Sequence, residues 1–167
     1  MNLIFQAVIA YLGLIPPLYA IIDLFFLEDI RVSMILDFMI LYTLIIFTFV
    51  GAINWKITKD GSILMTIYGA IPSLFSFLII LAVLNDFEYL LISTSLIALL
   101  FVQLLFDYII YLQELRPAFF IYSIRLPVTI MLSLLVHLPI YFWLLHVQLS
   151  TTIYIYVLTG DVFPSFN

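Results

Sequence analysis

Cysteine is absent from this chain, which excludes disulfides, thiolate-held metals and covalently attached haem and leaves the redox compartment undetermined. Charge is nearly as scarce. Five Lys and Arg and ten Asp and Glu make up 9 % of 167 residues, too few for a water-soluble domain of this length to clothe its surface. The few cations mark the edges of apolar runs and form no basic patch, so nucleic acid is not expected as a partner. No glycine-rich phosphate loop, no His and carboxylate cluster at metal-ligand spacing and no Ser, His and carboxylate arrangement for nucleophilic attack is present. No catalytic residue, metal site or cofactor is therefore predicted. His137 and His146 fall on one predicted helix about 13 Å apart and cannot clamp one haem iron between them, although a haem bridged to a partner subunit is left open.

What the chain does have is apolar bulk: 66 % hydrophobic residues, 17 % aromatic ones and a mean hydropathy of +1.31. It is gathered into five runs, each about long enough to cross a bilayer. Run one, Leu3 to Phe26, comes after Met1-Asn2 with no basic region and no clear cleavage site, so it is expected to stay as a helix rather than leave as a signal peptide. Pro16 and Pro17 remove two backbone donors near its middle and predict a kink. Run two, Ile35 to Trp55, ends in Gly51, Asn54 and Trp55 before Lys56, a close-contact and headgroup-anchoring corner. Run three, Ser62 to Leu84, is entered through Lys59-Asp60-Gly61 and carries Pro72; run four spans Tyr89 to Leu112; run five spans Ile124 to Leu145 and carries Pro139. Short turns make consecutive spans antiparallel neighbours. The fold class is an all-α, polytopic five-helix transmembrane bundle over residues 1–149, with residues 150–167 as a short interfacial or extended tail around the alternating Thr152-Ile153-Tyr154-Ile155-Tyr156-Val157. With the N-terminus inside, Lys56, Lys59, Arg116 and Arg125 lie inside and only Arg31 outside, which orients the chain N-terminus in and C-terminus out.

Polar residues inside the runs are few enough to be traced. On run four, Gln103, Asp107, Tyr111 and Glu114 share one helical face; on run five, Arg125, Thr129, Ser133, His137 and Tyr141 recur every four residues. Asp107 and Arg125 each lie nine residues from Arg116 in the connecting loop, so in an antiparallel hairpin they reach the same depth. They are expected to pair, because an unpaired ion near hydrocarbon costs roughly 2.5 to 3.5 kcal/mol. The pair reads as a structural clasp first and as part of a proton path, with His137 as a deeper titrating group, second. His137 itself is expected to donate to the Leu135 carbonyl that Pro139 frees. Ser62, Thr66, Gly69, Ser73 and Ser76 form a small-residue seam for close helix packing. Glu28, Asp29 and Asp37 read as a solvated acidic loop rather than a cation site.

Tyr11-Leu12-Gly13-Leu14-Ile15-Pro16, Gly51-Ala52-Ile53-Asn54-Trp55 and Pro72-Ser73-Leu74, then Gln103, Asp107, Pro117, Tyr122, Arg125 and Thr129, keep one order and spacing over five helices. In this the chain resembles a family of small inner-membrane proteins of unknown function typified in mitochondria by transmembrane protein 69. That family usually carries His where this chain has Asn54, which weakens any role for a titrating group there. The resemblance implies a bacterial inner membrane or the mitochondrial inner membrane and no particular reaction. Membrane lipid and a membrane-protein partner or a second copy are the expected neighbours. Two functions compete: a non-enzymatic accessory or assembly factor for a membrane complex, and a small proton-coupled transporter or channel using Asp107, Arg125 and His137. An enzyme acting on lipid ranks last for want of a nucleophile or metal set.

Overall fold

The computed structural model describes residues 3–27, 29–52, 63–113 and 117–159. These described residues are 92 % helix and include no strand. Five stretches, Ala7–Leu27, Val32–Ala52, Thr66–Leu84, Tyr89–Leu112 and Ala118–Tyr154, are long and apolar enough to cross a bilayer, the build of a multi-pass membrane protein. In chain order the elements are α1 (Leu3–Leu12), α2 (Ile15–Ile22) continuing into a π-helical turn at Asp23–Leu27, α3 (Val32–Ala52), α4 (Ile63–Leu84), α5 (Tyr89–Leu112), the short α6 (Ala118–Phe120) leading into a second π-helical turn at Ile121–Arg125, and α7 (Leu126–Thr159).

The first run is two helices rather than one kinked helix. The break falls before the prolines, at Gly13 and Leu14, and Pro16 and Pro17 occupy the first turn of α2. A proline is tolerated there because the first turn's N–H groups have no intrahelical acceptor in any case. Pro72 and Pro139, by contrast, sit inside the continuous helices α4 and α7.

The tail also departs from expectation. Instead of an extended or separate interfacial piece after Ser150, α7 runs on without interruption to Thr159. Alternating Tyr and β-branched residues favour a strand only where a neighbouring strand takes the backbone bonds. Here a helix already formed adds one bond for each residue it fixes. The hydroxyls of Thr151 and Thr152 join it, donating to the carbonyls of Val147 and Gln148 four residues back, each at 2.8 Å.

Helix α3 is the hub. Half of the residues in its most apolar stretch are buried, against 22 % in the first and third spans, and it packs on α2, α4, α5 and α7. Two of the three apolar clusters form layers across the bundle. Leu36, Ile40, Leu44, Ile79, Ile92, Leu96, Val136 and Ile140 pack toward the end that carries the α4–α5 turn. Leu14, Phe47, Leu100, Val128 and Leu132 pack toward the opposite end. That turn closes α4 with the paired bonds of a Schellman cap, Phe87 N–H to the Ala82 carbonyl and Asp86 N–H to the Val83 carbonyl, each at 3.1 Å. Asp86 takes the required left-handed conformation with φ 54°, which Asp tolerates better than most residues.

Candidate functional site

The polar network forms at the end opposite that turn, where α3, α4, α5 and α7 converge. Arg125 Nε donates to Asp107 Oδ2 at 2.6 Å, and Arg125 Nη2 donates to Gln103 Oε1 at 3.2 Å. Gln103 faces both ways, for its Nε2 donates to the Phe47 carbonyl of α3 at 3.0 Å. From α4, the Tyr68 hydroxyl lies 3.2 Å from Asp107 Oδ1 and 3.1 Å from the Gln103 carbonyl. Asp107, Gln103 and Arg125 are 0 %, 3 % and 4 % exposed, so each ionised group is stripped of water and is stabilised by the other and by the neutral dipoles around them.

Local geometry explains how Arg125 reaches this depth. It closes the π-helical turn Ile121–Arg125, which fits one extra residue into a turn. Ile121, Ile124 and Arg125 of this turn all face inward. From there Val128, Thr129, Leu132 and Ser133 continue the buried face at regular helical spacing.

The other members of the predicted stripe part company with the pair. Thr129 and Ser133 are buried, yet their hydroxyls have no hydrogen-bond partner. Tyr111 turns away from Asp107 to pack its ring against Tyr108 and Tyr122, with centroids 5.8 Å apart in both cases. His137 is half-buried, and its Nδ1 lies 3.3 Å from the Ser93 hydroxyl on α5 while its ring stacks on Tyr141. Its partner is therefore a neighbouring helix's side chain and not the Leu135 carbonyl. The antiparallel register of α5 and α7 brings Ser93 to the same level as His137, and a hydroxyl there suits an imidazole better than a carbonyl along its own helix axis.

The seam on α4 is rotated from its predicted line. Gly69, Pro72, Ser76 and Ile79 are buried, whereas Thr66 and Ser73 are exposed; Ser62, like Asn54 and Trp55 of the predicted corner, lies outside the described residues. The face is decided further along the helix, where Ile79 must enter the apolar layer beside Leu36 and Ile40. The steps Gly69, Pro72, Ser76, Ile79 meet that requirement and a line through Ser73 does not. Gly51 of α3 is the closest approach: a Cβ there would stand 2.5 Å from Pro72 Cγ and 3.1 Å from the Gly69 carbonyl. One turn away, the hydroxyls of Thr48 and Ser76 meet at 2.8 Å.

Several contributing residues carry no signal in the sequence pattern. Tyr68 is one. Tyr42 and Tyr11 are others, and a proline marks where each is needed. Pro17 has no N–H for the Gly13 carbonyl four residues earlier, and the Tyr42 hydroxyl donates to it at 2.9 Å. Pro127 leaves the Ser123 carbonyl in the same position, and the Tyr11 hydroxyl donates to it at 2.8 Å. The X-to-Pro offset of four was legible; which helix would answer was not. Asp23 is the fourth, wholly buried with Oδ2 accepting the Ile30 N–H at 3.1 Å and Oδ1 without a partner. Of the predicted acidic loop, Asp29 is exposed and Asp37 accepts the Tyr89 hydroxyl at 2.8 Å.

No protein-family model, curated protein or solved structure matches the chain.

Proposed function

We propose that this chain is an integral membrane protein that works without a catalytic centre of its own, as an accessory or assembly factor for a membrane complex. In this reading the five apolar stretches cross the membrane, the N-terminus faces the cytoplasm or matrix, and α7 ends on the opposite side. Lys56, Lys59 and Arg116 set that orientation against Arg31; Arg125, engaged within the bundle, adds little to it. The resemblance to the transmembrane protein 69 family supports an inner membrane, bacterial or mitochondrial.

The observation that carries the reading is where the buried charges direct their bonds. Arg125, Asp107, Gln103 and Tyr68 bond across four helices to one another and to backbone carbonyls. Conduction needs ions or protons to enter and leave a hydrated route, whereas bonds that run from helix to helix in this way serve to hold the helices in register. Outside this interior the spans present apolar side chains, Ile45, Phe49 and Leu74 among them, each at least 65 % exposed, to lipid or to a partner. Native purification in mild detergent with mass spectrometry tests the reading. A constant partner whose assembly fails when the chain is deleted supports it, and a solitary oligomer overturns it.

A proton-coupled transporter is the second reading, favoured by one observation: the buried hydroxyls of Thr43, Thr129 and Ser133 have no hydrogen-bond partner. Along α7 the latter two lie between the Arg125 clasp and the Ser93–His137 contact. Liposome flux that is lost in folded Asp107→Asn protein would favour this reading over the first.

A further inference from the structure

Helix α7 outruns the bundle that holds it. Its register is pinned at one end by Arg125 on Asp107 and at the other by Trp143, whose ring meets Tyr89 edge-on at 6.3 Å. Tyr89 is the first residue of α5. From His146 to Thr159 the helix therefore continues past the α4–α5 turn for about 20 Å, at ~1.5 Å per residue. Among the described residues no neighbour covers its first nine residues. Residues 146–154 are all exposed, with Leu149, Ile153 and Tyr154 at 61 %, 60 % and 65 %. If α5 crosses the hydrocarbon, this extension stands in the headgroup zone or beyond, where bare Leu and Ile side chains are unfavourable.

At the base of the extension lies a cavity of about 410 Å³ between the α4–α5 turn and α7. Phe87 and Leu144 supply apolar walls and Gln148 an amide, while Asp86 and Glu88 supply carboxylates. Among the described residues the one ion pair is Asp107 with Arg125, so neither carboxylate of the turn has a cation beside it. Among the described residues the charge at this end is lopsided: Asp29, Asp37, Asp86 and Glu88 stand against Arg31.

From the extension, the cleft at its base and the excess of carboxylates, we infer that this cleft docks a helix of a membrane-protein partner, apolar along its length and carrying Lys or Arg where it meets Asp86 and Glu88. The inference rests on the accessory reading above and names the surface through which it would act. Anionic lipid headgroups are repelled by the same carboxylates, and a second copy of this chain would bring the same negative excess. A basic, apolar helix satisfies both halves of the cleft, covering Leu149 and Ile153 with its apolar face and neutralising the turn.

The test is photocrosslinking with the full-length chain in its own membrane, using p-benzoylphenylalanine in place of Leu149. The expected result is a discrete protein adduct whose mapped segment is apolar with a Lys or Arg, its yield falling about tenfold when Asp86→Asn and Glu88→Gln are combined. Asn keeps the left-handed turn open to residue 86, and Glu88→Gln alone, expected to lower the yield less, serves if the double variant misfolds. An adduct with a second copy, adducts with lipid only, or a protein adduct unchanged by the neutral variants would each overturn the inference. The same probe at Leu105, 57 % exposed on α5 and remote from the cleft, separates the two failures. A protein adduct at Leu105 without one at Leu149 leaves the accessory reading standing and removes the cleft, while no protein adduct at either position removes both.

Discussion

Asp107 and Asp23 are both wholly inaccessible to solvent, and they lie in regions built on different terms. Around Asp107 the chain supplies a cation and a phenol from residues 18 and 39 positions away, and the Gln103 amide holds the same cation and reaches the Phe47 carbonyl, so that four helices are tied together through the carboxylate and its partner. Around Asp23 it supplies one backbone N–H from seven residues on, and Oδ1 goes unmet. The first site couples distant parts of the fold; the second pins a local loop between the first and second spans. Burial of a carboxylate alone is therefore a poor sign of its importance. What counts is whether the surroundings answer the charge, because removing one member of an answered pair strands the other in a medium that solvates it badly.

The comparison breaks most readily at Arg125. Arg125→Met should destabilise the bundle by about 3 to 5 kcal/mol, read as reversible unfolding in mixed micelles. Adding Asp107→Leu to it should recover much of that loss, since the double variant leaves no buried charge behind. If the double variant is as unstable as the single, the clasp supplies more than charge compensation.

A smaller effect is expected at Gly51. A methyl group there meets the Pro72 ring and the Gly69 carbonyl, and neither can rotate aside, so α4 must move. Gly51→Ala should cost about 1 to 3 kcal/mol and draw Tyr68 off Asp107. Removal of that hydroxyl directly, by Tyr68→Phe, should cost about 1 kcal/mol. In the Gly51→Ala background the same change should cost less, because the bond it deletes is already weakened. Strictly additive losses in that cycle would separate the helix contact from the clasp.

The solvent that the sequence implies explains why some of this was legible and some not. In runs of Leu, Ile and Phe, each Gln, Asp or Arg is conspicuous, and steps of four residues place Gln103 and Asp107, or Arg125 and Thr129, on one face. That sufficed to bring Asp107 and Arg125 together. Tyr68 was invisible by the same logic, since Tyr is common near membrane edges and its aim depends on how Gly51 and Pro72 rotate α4. Ser73 fits the seam by step size alone, but Ile79, two turns further along α4, decides which face turns inward. The end of α7 reads as extended because alternation is local, whereas helix propagation through Ser150 is not. Asp23 stands so near Glu28 and Asp29 that it resembles one more loop marker, and only the fold turns it inward.

The smallest effect, and the sharpest contrast, is expected at Asp23 itself. Asp23→Asn keeps an oxygen for the Ile30 N–H and exchanges an unmet carboxylate oxygen for an amide nitrogen of nearly the same size. No cation is stranded, because among the described residues Asp23 has none beside it. The change should therefore alter stability by less than about 1 kcal/mol in either direction. Asp107→Asn, the identical substitution at an equally buried position, leaves the Arg125 guanidinium without its counter-ion and should cost about 3 kcal/mol or more. Unfolding of the two variants side by side, in one detergent and at one pH, gives the comparison directly. Equal losses would mean that Asp23 has an answering charge in the folded protein after all, and the division between an answered and an unanswered carboxylate would fall. A loss confined to Asp107→Asn would assign the organisation of the bundle to the α5–α7 clasp rather than to buried charge as such.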